Sequence, residues 1–182
     1  VDGEVSHSGE GIYSGQAVAA AISIAMTGAP LEKIIEAALN VVPKDSWTYN
    51  SINQAVKIGY KSTDIWSSLK PLHSSIACSY YFWTDVAPEA VGLAFGIITA
   101  AKLNFADAVL GAVNIGRDTD TIAAIAGAIC GAYHGIQSIP EHWAKRISVS
   151  RGICINAVNN INILNIADEL ALIAESWSKN NE

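Results

Sequence analysis

The sequence predicts an all-α fold with a single domain. Apolar residues recur at helical spacing along almost the whole chain of 182 residues. Residues that favour helix starts and stops bound these periodic segments, and no linker, charge block or low-complexity segment divides them. We therefore expect residues 1–182 to form one domain that is long enough to bury a core.

The first half of the chain predicts four helices, each between a start signal and a stop signal. Asp, Ser and Thr favour the cap position, proline favours the first turn, and glycine and proline favour the end. The predicted spans are 13–26 before Gly28, 31–41 between Pro30 and Pro43, Asp45 or Ser46 to about 57 near Gly59, and Thr63 or Asp64 to about 69 before Pro71.

Residues 74–84 are ambiguous, because their aromatic and β-branched side chains are typical of a strand. In an otherwise helical chain we interpret this segment as a buried loop or a short helix. The second half predicts five more helices: 88–102 starting at Pro88, 104–113 capped by Asn104, 118–135 starting at Asp118, 140–147 starting at Pro140, and an amphipathic helix over 161–178.

The bulk composition argues against membrane and nucleic-acid partners. Hydrophobic residues make up 51% of the chain and its mean hydropathy is +0.28. The longest uncharged apolar runs, 90–101 and 122–133, are nevertheless too short for a membrane span of about 20 residues. A buried central helix explains these runs. A net charge of −6 without a Lys/Arg cluster is not typical of a nucleic-acid-binding protein.

The cysteines and the first residues indicate a cytoplasmic protein. Cys78, Cys130 and Cys154 have neither a disulfide framework nor zinc-binding spacing, so we expect small buried residues in a reducing compartment. The run Val1-Asp2-Gly3-Glu4 has no apolar signal region.

The segment most suggestive of chemistry is Gly116-Arg117-Asp118-Thr119-Asp120-Thr121, at the start of a predicted helix. Asp118, Asp120 and the Thr121 hydroxyl offer hard oxygen donors of the kind that Mg²⁺, Mn²⁺ or Ca²⁺ prefers. Gly116 lets the backbone turn sharply into the helix. A purely structural interpretation stays open, since an aspartate at this position commonly caps a helix through its carboxylate.

Glycines recur every four residues on one face of the same predicted helix, at Gly127, Gly131 and Gly135. A glycine inside a helix costs roughly 1 kcal/mol relative to alanine. Three in register therefore predict a neighbouring helix in near backbone contact. Such packing supports a rigid scaffold at the candidate metal end rather than the metal itself.

Three segments closely resemble the carboxy-terminal signature of the ADP-ribosylglycohydrolase family: the run from Ala112 to Thr121, the small-residue segment 123–135, and Ile139-Pro140-Glu141-His142-Trp143. This family includes the hydrolase that removes ADP-ribose from dinitrogenase reductase. Val5-Ser6-His7-Ser8, followed by Tyr13-Ser14-Gly15-Gln16-Ala17, resembles the family's Ser/Thr-His segment before a Gly/Ala-rich helix. These motifs agree with the family in order and spacing from one end of the chain to the other.

The resemblance implies an orthogonal all-α bundle around a dinuclear Mg²⁺ or Mn²⁺ centre. Asp118, Asp120 and Thr121 match the family's carboxy-terminal metal ligands, and His7 matches a position that lines the substrate cleft, against the ribose or the diphosphate. The implied reaction hydrolyses the glycosidic bond of an ADP-ribosyl group on a protein or a small molecule. The metals lower the pKa of a water that attacks the ribose anomeric carbon.

The resemblance also predicts what these residues lack. The family's amino-terminal half carries a Thr-Asp-Asp metal triplet, an acidic catalytic residue and a Gly-rich phosphate loop, and no segment here matches them. We therefore expect the chain to be the carboxy-terminal part of a larger domain, inactive without the missing half. The alternative is a catalytically inactive relative that uses the helical scaffold for binding or structure.

The sequence contains further candidate site residues. Gly116-Arg117-Asp118 occurs here in place of the family's usual Gly-Gly-Asp. Arg117 is a candidate either to contact a substrate phosphate or to repel metal, and the sequence leaves its role open. The aromatic residues that suit stacking on adenine, and an apolar core equally well, are Tyr80, Tyr81, Trp83 and Tyr133. The histidines that match no family motif, and are expected to be structural or exposed, are His73, His134 and His142.

Overall fold

The computed structural model describes residues 3–180, and within that range the chain forms nine α-helices and no β-strand. The helices are α1 Glu10–Ala25, α2 Leu31–Asn40, α3 Trp47–Lys61, α4 Ile65–Ile76, α5 Ala87–Ala100, α6 Phe105–Asn114, α7 Thr119–His134, α8 Glu141–Ile147 and α9 Ile163–Asn180. Short 3₁₀ segments cover Gly3–Val5, Ile136–Ser138 and Asn156–Val158. The predicted all-α fold is confirmed.

The chain divides into two compact units, one ending at Ser138 and one starting at Ile139. The first contains α1 to α7 and every residue predicted to bind metal or substrate. The second contains α8, α9 and an isolated antiparallel bridge between Val149 and Asn162. None of the helices formed by residues 3–180 is both long enough and apolar enough to span a lipid bilayer.

Helix α5 is the centre of the first unit, since every residue from Pro88 to Ala100 is buried. Helices α1, α3, α4, α6 and α7 all pack on it. The predicted buried central helix is therefore confirmed. Helix α7 buries only one face against this core, through Ile122, Ala126, Ile129 and Cys130.

Glycines bring α3 and α5 into near backbone contact. A Cβ atom added to Gly59 would lie 2.6 Å from the carbonyl oxygen of Gly96 and 2.7 Å from Thr99 Cβ. A Cβ atom on Gly92 would lie 2.8 Å from Ser51 Cβ. The two helices thus approach more closely than alanine at these positions would allow.

The glycines of α7 have a different role from the predicted one. A Cβ atom on Gly127 would lie 3.5 Å from Val109 Cγ2, and one on Gly131 would lie 3.7 Å from Phe105 Cε2. These are ordinary contacts with side chains of α6, so the predicted near backbone contact is wrong here. Gly135 instead ends the helix, with a left-handed φ of +76°.

Helix α4 continues through Pro71, where the sequence predicts its end. Proline lacks a backbone N–H and removes one helical hydrogen bond. Leu72 and Ile76, which follow it, are 0% and 6% exposed. Their burial stabilises the extra turn and offsets the lost bond.

The prediction of three buried cysteines holds for Cys78 and Cys130 but is wrong for Cys154, which is exposed. Cys154 lies in the connection between α8 and α9, outside the apolar core of the first unit. Burial raises the pKa of the Cys130 thiol to about 12.

Glu10 caps helix α3 from a distant part of the chain. Its two carboxylate oxygens accept the Trp47 and Thr48 backbone N–H groups, both at 2.9 Å, and the Thr48 hydroxyl at 2.7 Å. Burial alone raises the pKa of this carboxyl, but the hydrogen bonds from Thr48 and Trp47 outweigh it, so the pKa is lowered. The contact fixes the start of α3 against the start of α1.

Glu10→Gln is expected to lower the free energy of unfolding at pH 7 by roughly 0.5–2 kcal/mol, as the loss of a helix cap does. Because the carboxyl pKa is lower in the folded state, this contribution is present above the ordinary value of 4.5 and is lost as pH falls through the folded value. Urea unfolding should show a larger gap between the two proteins at pH 7 than at pH 3. Glu141→Gln, at an exposed acid, serves as the control; equal unfolding midpoints of Glu10→Gln and the unaltered chain at pH 7 would contradict the cap.

Candidate functional site

A sharp turn before α7 places the acidic residues of the predicted site at the helix start. Gly116 and Arg117 both have left-handed backbone, with φ of +84° and +65°. Asp118 then has φ −80° and ψ 69°, and α7 begins at Thr119. The predicted turn at Gly116 is confirmed, and it continues through an arginine, which adopts this conformation far less readily than glycine.

The candidate oxygen donors lie together at the N-terminal end of α7. Within the described chain, the Asp118 carboxylate accepts no capping hydrogen bond, so the interpretation of this side chain as a cap is wrong. Asp118 is half-buried, whereas Asp120 and Thr121 are exposed. Two carboxylates and a hydroxyl suit a hard divalent cation such as Mg²⁺ or Mn²⁺. The positive end of the helix dipole also favours carboxylates at this position.

Among the residues that the structure describes, no further acidic or histidine side chain joins the α7 donors in a metal-binding group. Across residues 3–180, no three His, Cys, Asp or Glu side chains are grouped so that they could hold a metal ion. Magnesium and calcium sites use six or more oxygen ligands, some of them from water. A dinuclear centre at Asp118 would therefore require ligands beyond those that the described residues provide.

The Arg117 side chain donates hydrogen bonds to other groups of the protein. Its Nε donates to Glu89 Oε1 at 2.6 Å, and this hydrogen bond raises the pKa of the guanidinium. Its Nη2 donates to the carbonyl oxygens of Cys78, Tyr81 and Trp83 at 3.1–3.3 Å. The guanidinium is thus bound to Glu89 and to backbone carbonyls. A phosphate contact or repulsion of a metal stays a prediction.

Glu89 is a residue of this region that sequence reasoning missed. It lies in the first turn of α5 and is fully buried. Its Oε1 accepts from Arg117, and its Oε2 accepts the Cys78 backbone N–H at 2.5 Å. A signal was present, because Glu89 is the only acid in the apolar run that forms α5. Buried carboxylates require a charged or hydrogen-bonding partner.

Residues 79–83 form an exposed segment that we call the aromatic loop. Tyr80, Tyr81, Phe82 and Trp83 are 89%, 41%, 84% and 64% exposed. The buried loop predicted here is therefore wrong for these residues, since only Cys78 beside them is buried. A groove of about 400 Å³ lies between this loop and Trp47 of α3.

His7 is exposed and lines a second groove, of about 460 Å³, together with Gly11, Gly15 and Gln16 of α1. Its Nδ1 lies 2.7 Å from Ser6 Oγ. A Cβ atom on Gly11 would lie 3.2 Å from His7 Cδ2, so glycine makes room for the ring. The lining of this groove comes from residues 3–19 and does not include α7. The substrate contact of His7 stays a prediction.

The remaining candidates lie at opposite ends of α7. Tyr133 is fourteen residues beyond the helix start at Thr119, which at 1.5 Å per residue separates them by about 21 Å. His134 is exposed at that same far end. His73 is half-buried near the acidic end, where its ring lies 3.8 Å from the position of a Cβ atom on Gly116. No sequence motif predicts that His73 contacts this turn.

The chain is similar to proteins whose names describe hydrolases of ADP-ribosyl compounds. The sequence model of the family described as ADP-ribosylglycohydrolase matches residues 1–180. ADP-ribosylhydrolase ARH3 of Homo sapiens is 56% identical over 33 residues, which are 18% of this chain and 9% of that protein. ADP-ribosylarginine hydrolase Tri1 of Pseudomonas putida (strain GB-1) is 40% identical over 50 residues, 28% of this chain and 14% of that protein.

Tri1 of Serratia proteamaculans (strain 568) is 37% identical over 71 residues, 39% of this chain and 17% of that protein. The aligned segments thus cover a small share of each of these relatives. No solved structure matches the chain. The family match nevertheless covers almost every residue, including the turn at Asp118, and it agrees with the all-α fold. The chain belongs to the ADP-ribosylglycohydrolase family.

Proposed function

We propose that this chain carries part of the metal site of a hydrolase that cleaves the glycosidic bond of ADP-ribosyl groups. The observation that carries the proposal is the position of Asp118, Asp120 and Thr121 at one end of α7. The Asp118 carboxylate is not used as a helix cap, so it is available to a cation. The names of the matched relatives, ADP-ribosylhydrolase and ADP-ribosylarginine hydrolase, support the reaction class.

The three side chains have distinct tasks in this proposal. The Asp118 and Asp120 carboxylates and the Thr121 hydroxyl would hold Mg²⁺ or Mn²⁺ at the start of α7. When bound, such cations lower the pKa of water and orient the sugar for attack at its anomeric carbon. We assign His7 to the ribose or diphosphate, because it is exposed at the edge of an open groove.

The proposed substrate is an ADP-ribosylated protein or a small ADP-ribose conjugate. Arginine as the linked group appears in the name of Tri1 but not in that of ARH3. Both sets of relatives share only the ADP-ribosyl group in their names. The proposal is therefore limited to the bond at the ribose anomeric carbon.

We further propose that these 182 residues alone are catalytically inactive. Their described part brings together two carboxylates and a hydroxyl but no group of three acidic, histidine or cysteine ligands. A second cation would then depend on ligands outside this sequence. Calorimetric titration with Mn²⁺ is expected to show one weak site, and two tight sites would contradict this part of the proposal.

Asp120→Ala is expected to weaken Mn²⁺ binding by at least about tenfold, since even substitutions around a metal's direct ligands have effects of that size. Asp107→Ala is the matched control, because Asp107 also lies in the first turn of a helix, α6, and is exposed. Calorimetry or the electron paramagnetic resonance signal of free Mn²⁺ measures both affinities. Equal effects of the two substitutions would indicate a general charge effect and contradict the site.

A turnover assay distinguishes a hydrolase from a catalytically inactive relative, which is the alternative that the sequence leaves open. The assay measures ADP-ribose released from ADP-ribosylated arginine, ADP-ribosylated serine and a small conjugate, with and without Mg²⁺. It compares this chain with the longer protein that the family resemblance predicts. We expect Mg²⁺-dependent release by the longer protein. Metal binding without release of ADP-ribose from any of these would favour the inactive relative.

A further inference from the structure

The contacts of Arg117 join two elements that are far apart in sequence. Its guanidinium reaches three backbone carbonyl oxygens between Cys78 and Trp83, and its Nε pairs with Glu89 of α5. The Arg117 side chain is 12% exposed and that of Glu89 is 0% exposed. A single residue, next in sequence to Asp118, therefore contacts both the aromatic loop and the central helix.

The backbone of Arg117 is held in an unfavourable conformation. Its φ of +65° lies in the left-handed region, which is unfavourable for a residue other than glycine. Glycine would adopt this conformation without that cost. Side-chain contacts that glycine lacks are the physical reason for an arginine here, and all of them are directed to Glu89 and to the loop carbonyls.

The aromatic loop is fixed through its backbone while its side chains stay exposed. Besides the three carbonyls bound by Arg117, the Cys78 N–H donates to Glu89 and the Tyr81 N–H donates to the Cys78 carbonyl. Tyr80, Phe82 and Trp83 nevertheless remain 64% to 89% exposed. A loop of this kind presents rings to its surroundings from a defined position.

We infer that Arg117 and Glu89 are positioning residues that hold the aromatic loop against the turn carrying Asp118. The loop and the turn then behave as one unit, and the loop forms a wall beside the proposed cation site. This inference rests on the proposed function only for the role of Asp118. The connection between loop and turn is testable in protein without metal.

The test is hydrogen–deuterium exchange in Arg117→Gly. Glycine suits the left-handed backbone, so the turn is expected to keep its conformation while the guanidinium contacts are lost. The reporters are the Cys78, Ser79 and Tyr81 amides, which donate hydrogen bonds in or beside the aromatic loop. Loss of charged hydrogen bonds of about 1.5 kcal/mol or more corresponds to roughly tenfold faster exchange there. Lys102→Gly is the matched control, because Lys102 is also a cation with positive φ, +51°, but its side chain is exposed.

Arg117→Lys distinguishes the loop contacts from the ion pair. Lysine keeps a charge for Glu89 but lacks the planar fork that reaches several carbonyls. We expect the loop amides to exchange faster than in the unaltered chain while the thermal midpoint changes less than in Arg117→Gly. Loop exchange in Arg117→Gly equal to that of the unaltered chain or of Lys102→Gly would overturn the inference.

A Mn²⁺ titration separates this inference from the proposed function. Because glycine keeps the left-handed turn, Arg117→Gly is expected to leave Mn²⁺ binding at the start of α7 largely unchanged, as Lys102→Gly does. A freed loop with retained Mn²⁺ affinity supports the inference, whereas loss of Mn²⁺ binding with a loop that exchanges no faster would overturn it. If the unaltered chain bound no Mn²⁺ while Arg117→Gly still freed the loop, the proposed function would fail and the positioning role would stand.

Discussion

Gly59→Ala is expected to lower the free energy of unfolding by roughly 3 kcal/mol, at the upper end of the range for overpacking. The added Cβ would lie 2.6 Å from a backbone oxygen, that of Gly96, and 2.7 Å from Thr99 Cβ. Neither atom is the end of a flexible side chain, so α3 and α5 would have to separate. Because α5 is buried along almost its whole length, that separation would loosen the core on its other sides.

Urea unfolding of Gly59→Ala and Gly127→Ala gives a matched comparison of the same substitution in two helices. A Cβ on Gly127 would lie 3.5 Å from its nearest neighbour, Val109 Cγ2. There the gain in helix propensity is expected to dominate and to stabilise the protein by up to about 1 kcal/mol. Similar losses in both variants would contradict the assignment of the close helix contact to α3 and α5.

The helices could be predicted because their signals are local. Ser46, Asp64 and Asn104 cap α3, α4 and α6 through side-chain hydrogen bonds, as their positions in the sequence suggest. The prediction failed where the end of a helix depends on tertiary packing. Pro71 does not end α4, because the residues after it are buried.

Glycine spacing was a poor guide to helix contacts for the same reason. The regular series of glycines in α7 predicts a close helix contact, but Gly127 and Gly131 have room for ordinary side-chain contacts. The glycines that bring α3 and α5 into near backbone contact, Gly59 and Gly92, lie in two helices that are distant in sequence. Their pairing depends on how α3 and α5 cross, which no single helix encodes.

The residues of the candidate site also fall into those that local sequence predicts and those that depend on tertiary contacts. Asp118, Asp120 and Thr121 could be found from sequence because they are nearly contiguous and share one helix end. The contact between Arg117 and Glu89 spans 28 residues, so the sequence offered only an acid within an apolar helix. That pattern indicates a buried partner but does not identify it.

Glu89→Ala is expected to destabilise the protein by about 3–5 kcal/mol, the range found when one member of a buried ion pair is removed. The substitution leaves the Arg117 guanidinium without its carboxylate and the Cys78 N–H without its acceptor. The exposed pair of Lys33 and Glu36, 2.7 Å apart, provides the control. Glu36→Ala is expected to change the free energy of unfolding by at most about 1 kcal/mol.

A double-mutant cycle decides whether Glu89 acts through Arg117. If the two residues form one positioning unit, Glu89→Ala combined with Arg117→Gly should destabilise less than the sum of the single changes, by about 1–3 kcal/mol. The reason is that the double variant no longer leaves a buried guanidinium without a counter-charge. Additive losses in urea unfolding would mean that the carboxylate stabilises the protein mainly through Cys78, and that α5 is not coupled to the turn at Asp118.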